Sequence, residues 1–141
     1  MRTLGLDIGS VRVGVAVSDA DGAVASAVAV LDARELARDT RSLVRIVEDY
    51  GVEQLVVGLP LTLSGDEGPQ AAEVREVAGR LASALGLPVA FQDERNSSTE
   101  ARRAMRAAGL SEREQRGSLD KVAAAILLQT WLDTRRDGGQ T

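Results

Sequence analysis

The chain has 141 residues, enough for one domain with a real core and too few for two ordinary ones. Its 44% hydrophobic and 27% charged residues are those of a globular protein, and the absence of cysteine excludes disulfides, thiolate nucleophiles and zinc knuckles and makes the cytosol the default compartment. The absence of histidine excludes Ser-His-Asp triads and the usual zinc sites, so chemistry falls to Asp, Glu, Lys, Arg and hydroxyls, a set that suits oxygen-ligated Mg²⁺ or Mn²⁺. A net charge of −4 and 2% aromatics argue against broad electrostatic binding of nucleic acid and against a base-stacking platform.

The segment LGLDIGSVRVGVAVSD, residues 4–19, reads as two strands, about 3–8 and 11–18, joined by a two-residue turn at Gly9-Ser10. That turn sets Asp7 opposite Arg12 and Gly5 opposite Gly14. Alternation puts Leu4, Leu6, Ile8, Val11, Val13 and Val15 on one face, and Asp7, Arg12 and the two glycines on the other. The glycines predict a hollow beside Asp7 in which the Ala-rich face of the last helix packs.

Asp-Gly at 21–22 turns the chain into a third antiparallel strand over GAVASAVAV. Helical spacing of Leu36, Leu43, Val47 and Tyr50 predicts one helix over 34–50, closed by Gly51. EQLVVGLP supplies a buried strand near 54–59. The loop LTLSGDEG reads as a mobile element near a site or as an ordinary connector, and Pro69 then opens a helix that Gly86 and Pro88 stop. VAFQDE is a fifth strand. The remainder predicts helices over 97–108 and, after a break at Gly117-Ser118, over 118–134. The expected fold is α/β, with three meandering antiparallel strands extended by two that arrive through helical crossovers. Residues 1–135 read as a single domain and 136–141 as a frayed tail. The longest apolar run, 122–128, is far below bilayer-spanning length.

Three sets of acids stand where core packing would not put them: Asp7 in the first strand, Asp93-Glu94 at the end of the fifth, and Asp120 at the start of an apolar helix. Each has a plain explanation, namely an Asp7–Arg12 cross-strand pair, a strand end, and a macrodipole partner. Together they also suit two-metal phosphoryl chemistry, which needs carboxylates converging from different elements. Asp93 and Glu94 point to opposite faces, so only one reaches Asp7. If strand 54–59 lies between strands one and five, the gap is about 9–10 Å, which favours the longer Glu94. Residues 94–116 hold six arginines against four glutamates, and Arg102, Arg103 and Arg106 follow at helical spacing, suited to a phosphate backbone or to a solvated helix.

The ordered motifs LGLDIGSVRVGVAVSD, VVGLPLTLSGDEGPQA, QDERNSSTEA and LDKVAAAILLQTWLD resemble the YqgF (RuvX-like) family over nearly the whole chain. The resemblance implies an RNase H-like fold and a Mg²⁺- or Mn²⁺-dependent endonuclease. Two substrates follow from it: the 5′ end of pre-16S rRNA first, and the Holliday junction second. By motif, the catalytic and metal-holding acids fall on Asp7, Glu94 and Asp120. Arg12, Arg95, Ser97, Ser98, Arg102, Arg103 and Arg106 are the candidate nucleic-acid contacts, in a cytoplasmic monomer or homodimer. Asn96-Ser97-Ser98 stands where the family usually has a leucine before two threonines, and SEREQRGS is less basic than usual. Two other readings remain at this level: a catalytically silent RNA-binding protein of the same fold, and an actin-like phosphotransferase, for which the chain is short.

Overall fold

The computed structural model describes residues 1–94 and 112–138, apart from the side chains of 112–121 and 136–138. The helix expected over 97–108 lies outside the described residues. Strands β1 (Arg2–Ile8), β2 (Arg12–Ser18) and β3 (Ala25–Asp32) come first, then helices α1 (Ala33–Arg38) and α2 (Arg41–Tyr50). Strand β4 (Val52–Leu59), helix α3 (Pro69–Leu85), strand β5 (Val89–Asp93) and helix α4 (Glu112–Gly138) follow. The sheet order is β3-β2-β1-β4-β5, with β1–β2 and β2–β3 antiparallel and β1–β4 and β4–β5 parallel. This is the mixed five-stranded sheet that the pattern predicts.

The two sheet faces are packed differently. Leu4, Leu6, Val13, Val15, Leu55 and Val57 turn to one side, against Leu36, Leu43, Val74, Ala78 and Leu81 of α1–α3. Each such aliphatic side chain contributes about 1.5–3 kcal/mol when fully buried. On the other side, Ala16 and Val56 meet Ala124, Leu128, Trp131 and Leu132 of α4. A Cβ on Gly5 would stand 2.8 Å from Leu128 Cβ and 3.3 Å from the Ala124 carbonyl oxygen, so α4 approaches β1 through the missing side chain. Gln129 fastens the far end of α4: its Oε1 accepts from the Ala25 amide and its Nε2 donates to the Ala23 carbonyl, both at 2.8 Å.

Three local expectations need correction. The β1–β2 turn is Ser10-Val11, because the Gly9 amide donates to the Arg12 carbonyl at 2.9 Å and so belongs to the ladder. Asp7 therefore faces Gly14, not Arg12, and Gly5 faces Ala16, not Gly14. The register moves by two residues, an even number, so the strand side chains keep their expected faces, whereas Val11, expected on the apolar face, falls in the turn and is exposed. A Cβ on Gly9 would meet the Arg12 carbonyl oxygen at 2.8 Å, so this glycine permits the close strand approach.

The helix expected over 34–50 is two helices. Asp39 Oδ1 accepts from the Arg41 amide at 3.0 Å, and its carboxylate grips the Arg41 guanidinium, drawing the backbone out of helical geometry at Asp39-Thr40. Arg41 sits there paired with Asp39. At the other end of the chain α4 runs through Gly117-Ser118 without a break and on to Gly138. Gly51 and Gly86 close α2 and α3 in the left-handed conformation, as expected, with φ of 66° and 67°. Among the described residues no helix is long and apolar enough to cross a membrane.

The Gly5 contact carries a direct test. Gly5→Ala should destabilise the protein by about 1–3 kcal/mol, because α4 has no room to yield to an added methyl. Urea unfolding of the two proteins measures the difference.

Candidate active site

Three parallel or adjoining strand ends come together where the hairpin turns and β4 and β5 run out. Asp7 lies one residue before the end of β1, on the α4 side of the sheet with Gly5 and Gly14. Gly5 pairs with Val56, so two residues further on Asp7 and Gly58 share that face. On β5, Asp93 pairs with Leu59 and shares the face of Val57 and Phe91, toward α1–α3. Glu94, one residue on, turns to the other face, and its amide donates to the Leu59 carbonyl at 3.3 Å. Strand parity therefore puts Glu94, and not Asp93, on the face of Asp7.

The reach of Glu94 depends on a residue that the sequence reading passed over. Its carboxyl group lies across β4 directly over Gly58: a Cβ there would collide with Glu94 Oε2 and stand 2.9 Å from Leu127 Cδ2. Gly58 is thus a gap in the middle strand through which the outer strand's acid reaches the inner one. A glycine inside the buried run LVVGLP was the available signal, since such a residue marks a close approach.

The two acids meet. Burial pushes the Glu94 carboxyl from its ordinary 4.5 up to about 7; the negative charge of Asp7 adds to this, then a hydrogen bond between the two side chains, then the charge of Asp93. Two carboxylates in one hollow cannot easily both ionise, so Glu94 holds its proton to higher pH than a free carboxyl does. A divalent cation would replace that proton and relieve the repulsion. The ligand atoms on offer are carboxylate oxygens only, which fits a hard ion such as Mg²⁺ or Mn²⁺. Among the described residues no group of three potential ligands assembles.

Asp120 belongs to α4, and its side chain lies outside the described residues. The backbone path of the helix is known. Ala124 stands over Gly5 and Leu132 approaches Gly22 beyond the far end of the sheet, so α4 runs from the acid end toward the β2–β3 turn. Position 120 is one turn earlier, about 6 Å toward the acid end. Gly5 to Asp7 is a step of about 6.6 Å in the same direction.

Arg12 is exposed at the start of β2 and lines an open cleft of about 220 Å³ together with Asp7, Gly9, Ser10, Val11 and Gly14. Its neighbour in the ladder is Asp32 of β3 rather than Asp7. Asp32 also caps α1, accepting from the Glu35 amide at 3.0 Å. A larger cavity of about 340 Å³ lies between the hairpin, α1 and α3, with an apolar floor of Ile8, Val13, Leu36 and Val74. Arg95, Ser97, Ser98, Arg102, Arg103 and Arg106 lie outside the described residues.

The loop after β4 is an organised connector. The Thr62 amide donates to the Asp66 carbonyl and the Gly65 amide to the Thr62 carbonyl, both at 2.9 Å, and Leu61 bridges Glu67. Glu67 holds the Arg75 guanidinium through both of its oxygens, and Arg75 stacks 4.5 Å from the Phe91 ring centre.

A family model described as "RuvX: Holliday junction resolvase" matches residues 1–134. The chain belongs to the RuvX (YqgF) family. A RuvX relative from Anaeromyxobacter sp. (strain K), named "Putative pre-16S rRNA nuclease", is 51% identical over 96% of this chain and 98% of its own length. One of the same name from Chloroflexus aurantiacus is 44% identical over 94% of this chain and 87% of its own. Among solved structures, Thermus thermophilus RuvC bound to a Holliday junction superposes with a TM-score of 0.59 at 18% identity, covering 96% of each chain. Fowlpox virus resolvase with its junction DNA gives 0.51 at 12% identity over 99% of each. These likenesses make the RuvX fold RNase H-like.

Two outcomes follow for the acid pair. Gly58→Ala should push Glu94 away from Asp7 and abolish any Mn²⁺-induced rise in melting temperature, with about 1–3 kcal/mol of destabilisation from overpacking; thermal unfolding with and without the ion reads both. In protein stripped of divalent ions, the folded state holds the Glu94 proton more tightly than the unfolded chain does. That contribution is full below 4.5 and is lost as pH rises to about 7. The melting temperature should fall across this interval, and Glu94→Gln should flatten the fall.

Proposed function

We propose that this protein is a divalent-metal-dependent endonuclease that processes precursor 16S rRNA. The observation that carries the reading is the Asp7–Glu94 pair, brought together from strands two apart over Gly58. Acids so close are a standing cost in an empty site and an asset around a cation. The substrate rests on the names of the relatives, at 44–51% identity over nearly the full length.

In this reading Asp7 and Glu94 hold the ion, and Asp120 joins them; the run of α4 toward the acid end supports that third assignment. When bound, Mg²⁺ or Mn²⁺ supplies an activated water and neutralises charge on the phosphate that is cut. The protein contributes position. Strands β1 and β5 fix two carboxylates on a rigid sheet, and Gly58 leaves the space between them clear of side chain. Arg12, which lines the cleft beside Asp7, supplies a guanidinium for a phosphate oxygen of the substrate backbone. Arg95, Arg102, Arg103 and Arg106, with the hydroxyls of Ser97 and Ser98, extend that contact along the strand by their spacing. The absence of histidine leaves no side-chain base suited to neutral pH other than Glu94 itself, which accords with water activated at a cation.

A four-way DNA junction is the second substrate, favoured by the description that the matching family model carries. Purified protein with Mg²⁺ or Mn²⁺ is to be offered precursor-rRNA leader, a four-way junction and linear controls side by side. Cleavage of the leader should dominate, and Asp7→Asn, Glu94→Gln and Asp120→Asn should each reduce it by about a hundredfold or more. Binding without cleavage in the wild type would instead mark a silent RNA-binding protein. Full activity in all three variants would overturn the site.

A further inference from the structure

Among the described residues five large apolar side chains are exposed: Met1, Val11, Val24, Tyr50 and Leu63. Only Leu63 is wholly so, at 101% of its reference area. It stands at the tip of the loop that leaves β4, four residues beyond Leu59, whose carbonyl accepts the Glu94 amide. Counted from Gly58, over which the Glu94 carboxyl lies, five residues span at most about 18 Å, so Leu63 lies within roughly five base steps of the acid pair. Val11, 63% exposed, occupies the tip of the β1–β2 turn at the same end of the sheet. Two apolar points thus stand at the acid end, one on the hairpin and one on the loop.

The loop holds Leu63 out by construction. Thr62 Oγ1 accepts from the Asp66 amide at 3.1 Å, Ser64 Oγ donates to Asp66 Oδ2 at 3.1 Å, and Gly65 turns with φ of 89°. The Leu61–Glu67 bridge closes the base, and Glu67 ties it to α3 through Arg75. The backbone is ordered while the leucine at its apex gains nothing from the protein.

The charges around it decide what it can touch. The loop carries Asp66 and Glu67 and has no cation of its own, and the nearby Arg75 is engaged by both oxygens of Glu67. Among the described residues the loop offers a phosphate no cation of its own and one acid to avoid. The face of an unstacked base finds an apolar side chain on a firm support. Apolar wedges of this kind act where stacking is already interrupted or is easily opened.

We infer that Leu63 is a specificity-determining wedge that packs against an unstacked base within about five nucleotides of the cut, so that the substrate is a nucleic acid with a broken stack and not a continuous duplex. The inference rests on the nuclease reading above for the cut and on the loop alone for the base.

The test uses the full chain and an RNA hairpin with a single-stranded leader, carrying 2-aminopurine near the boundary, beside a continuous duplex with the same base. Binding is read as fluorescence in the Asp7→Asn background, and cleavage is read in the otherwise wild-type protein with Mn²⁺. Leu63 should raise the fluorescence of the boundary base on binding and leave that of the duplex unchanged. Leu63→Ala should lose the rise and cut the boundary substrate about tenfold more slowly, with an unchanged melting temperature. Leu63→Met should restore both.

Equal fluorescence and equal cleavage in Leu63→Ala would overturn the wedge and leave the nuclease standing. A Leu63-dependent rise without cleavage by any protein would uphold the wedge and overturn the nuclease. Failure of the chain to bind either nucleic acid would overturn both.

Discussion

Two carboxyl groups forced into one half-buried hollow are the constraint on which this molecule turns. Asp7 and Glu94 belong to strands separated by a third, and like charges at that range repel unless a proton or a cation intervenes. Such an arrangement persists only if the surrounding structure prevents the acids from moving apart. Here the sheet ladder fixes both backbones, and the face behind them is packed with Leu6, Val13, Val15 and Val57. The aliphatic core on one side of the sheet thus sustains the electrostatic tension on the other.

Glycines decide what fits on the acid side. Gly58 lets Glu94 pass over β4, and Gly5 lets α4 lie close against β1. The two are coupled through α4, since Leu127 fills the space beside Gly58 while Leu128 fills that beside Gly5. Gln129 then ties the helix to the β2–β3 turn, so its lengthwise position is set by hydrogen bonds as well as by packing. A helix held in this way brings position 120, in its third turn, toward the acid end without freedom to slide.

The chain's own pattern carried much of this. Alternation sorted the hairpin faces correctly even though the turn was placed one residue early, because an even register shift preserves facing. The same parity separated Glu94 from Asp93. The helix break at Asp39-Thr40 was hidden because the apolar spacing on either side remains helical. What interrupts it is a carboxylate capturing its neighbour's amide and guanidinium. Gly117-Ser118 misled in the other direction: a single glycine costs a helix about 1 kcal/mol, which downstream anchoring of α4 can offset.

By itself the sequence determined the residue chemistry and the local periods: oxygen ligands only, no histidine, strands that alternate, and acids at strand ends. Those properties are written in neighbouring residues, so they can be read from them. Only the tertiary structure decided that β4 lies between β1 and β5, that Gly58 is the gap through which two acids meet, and that the wholly exposed leucine stands at the same end of the sheet. These are consequences of crossover connections between segments dozens of residues apart, and no local pattern specifies which strand a crossover will place beside which.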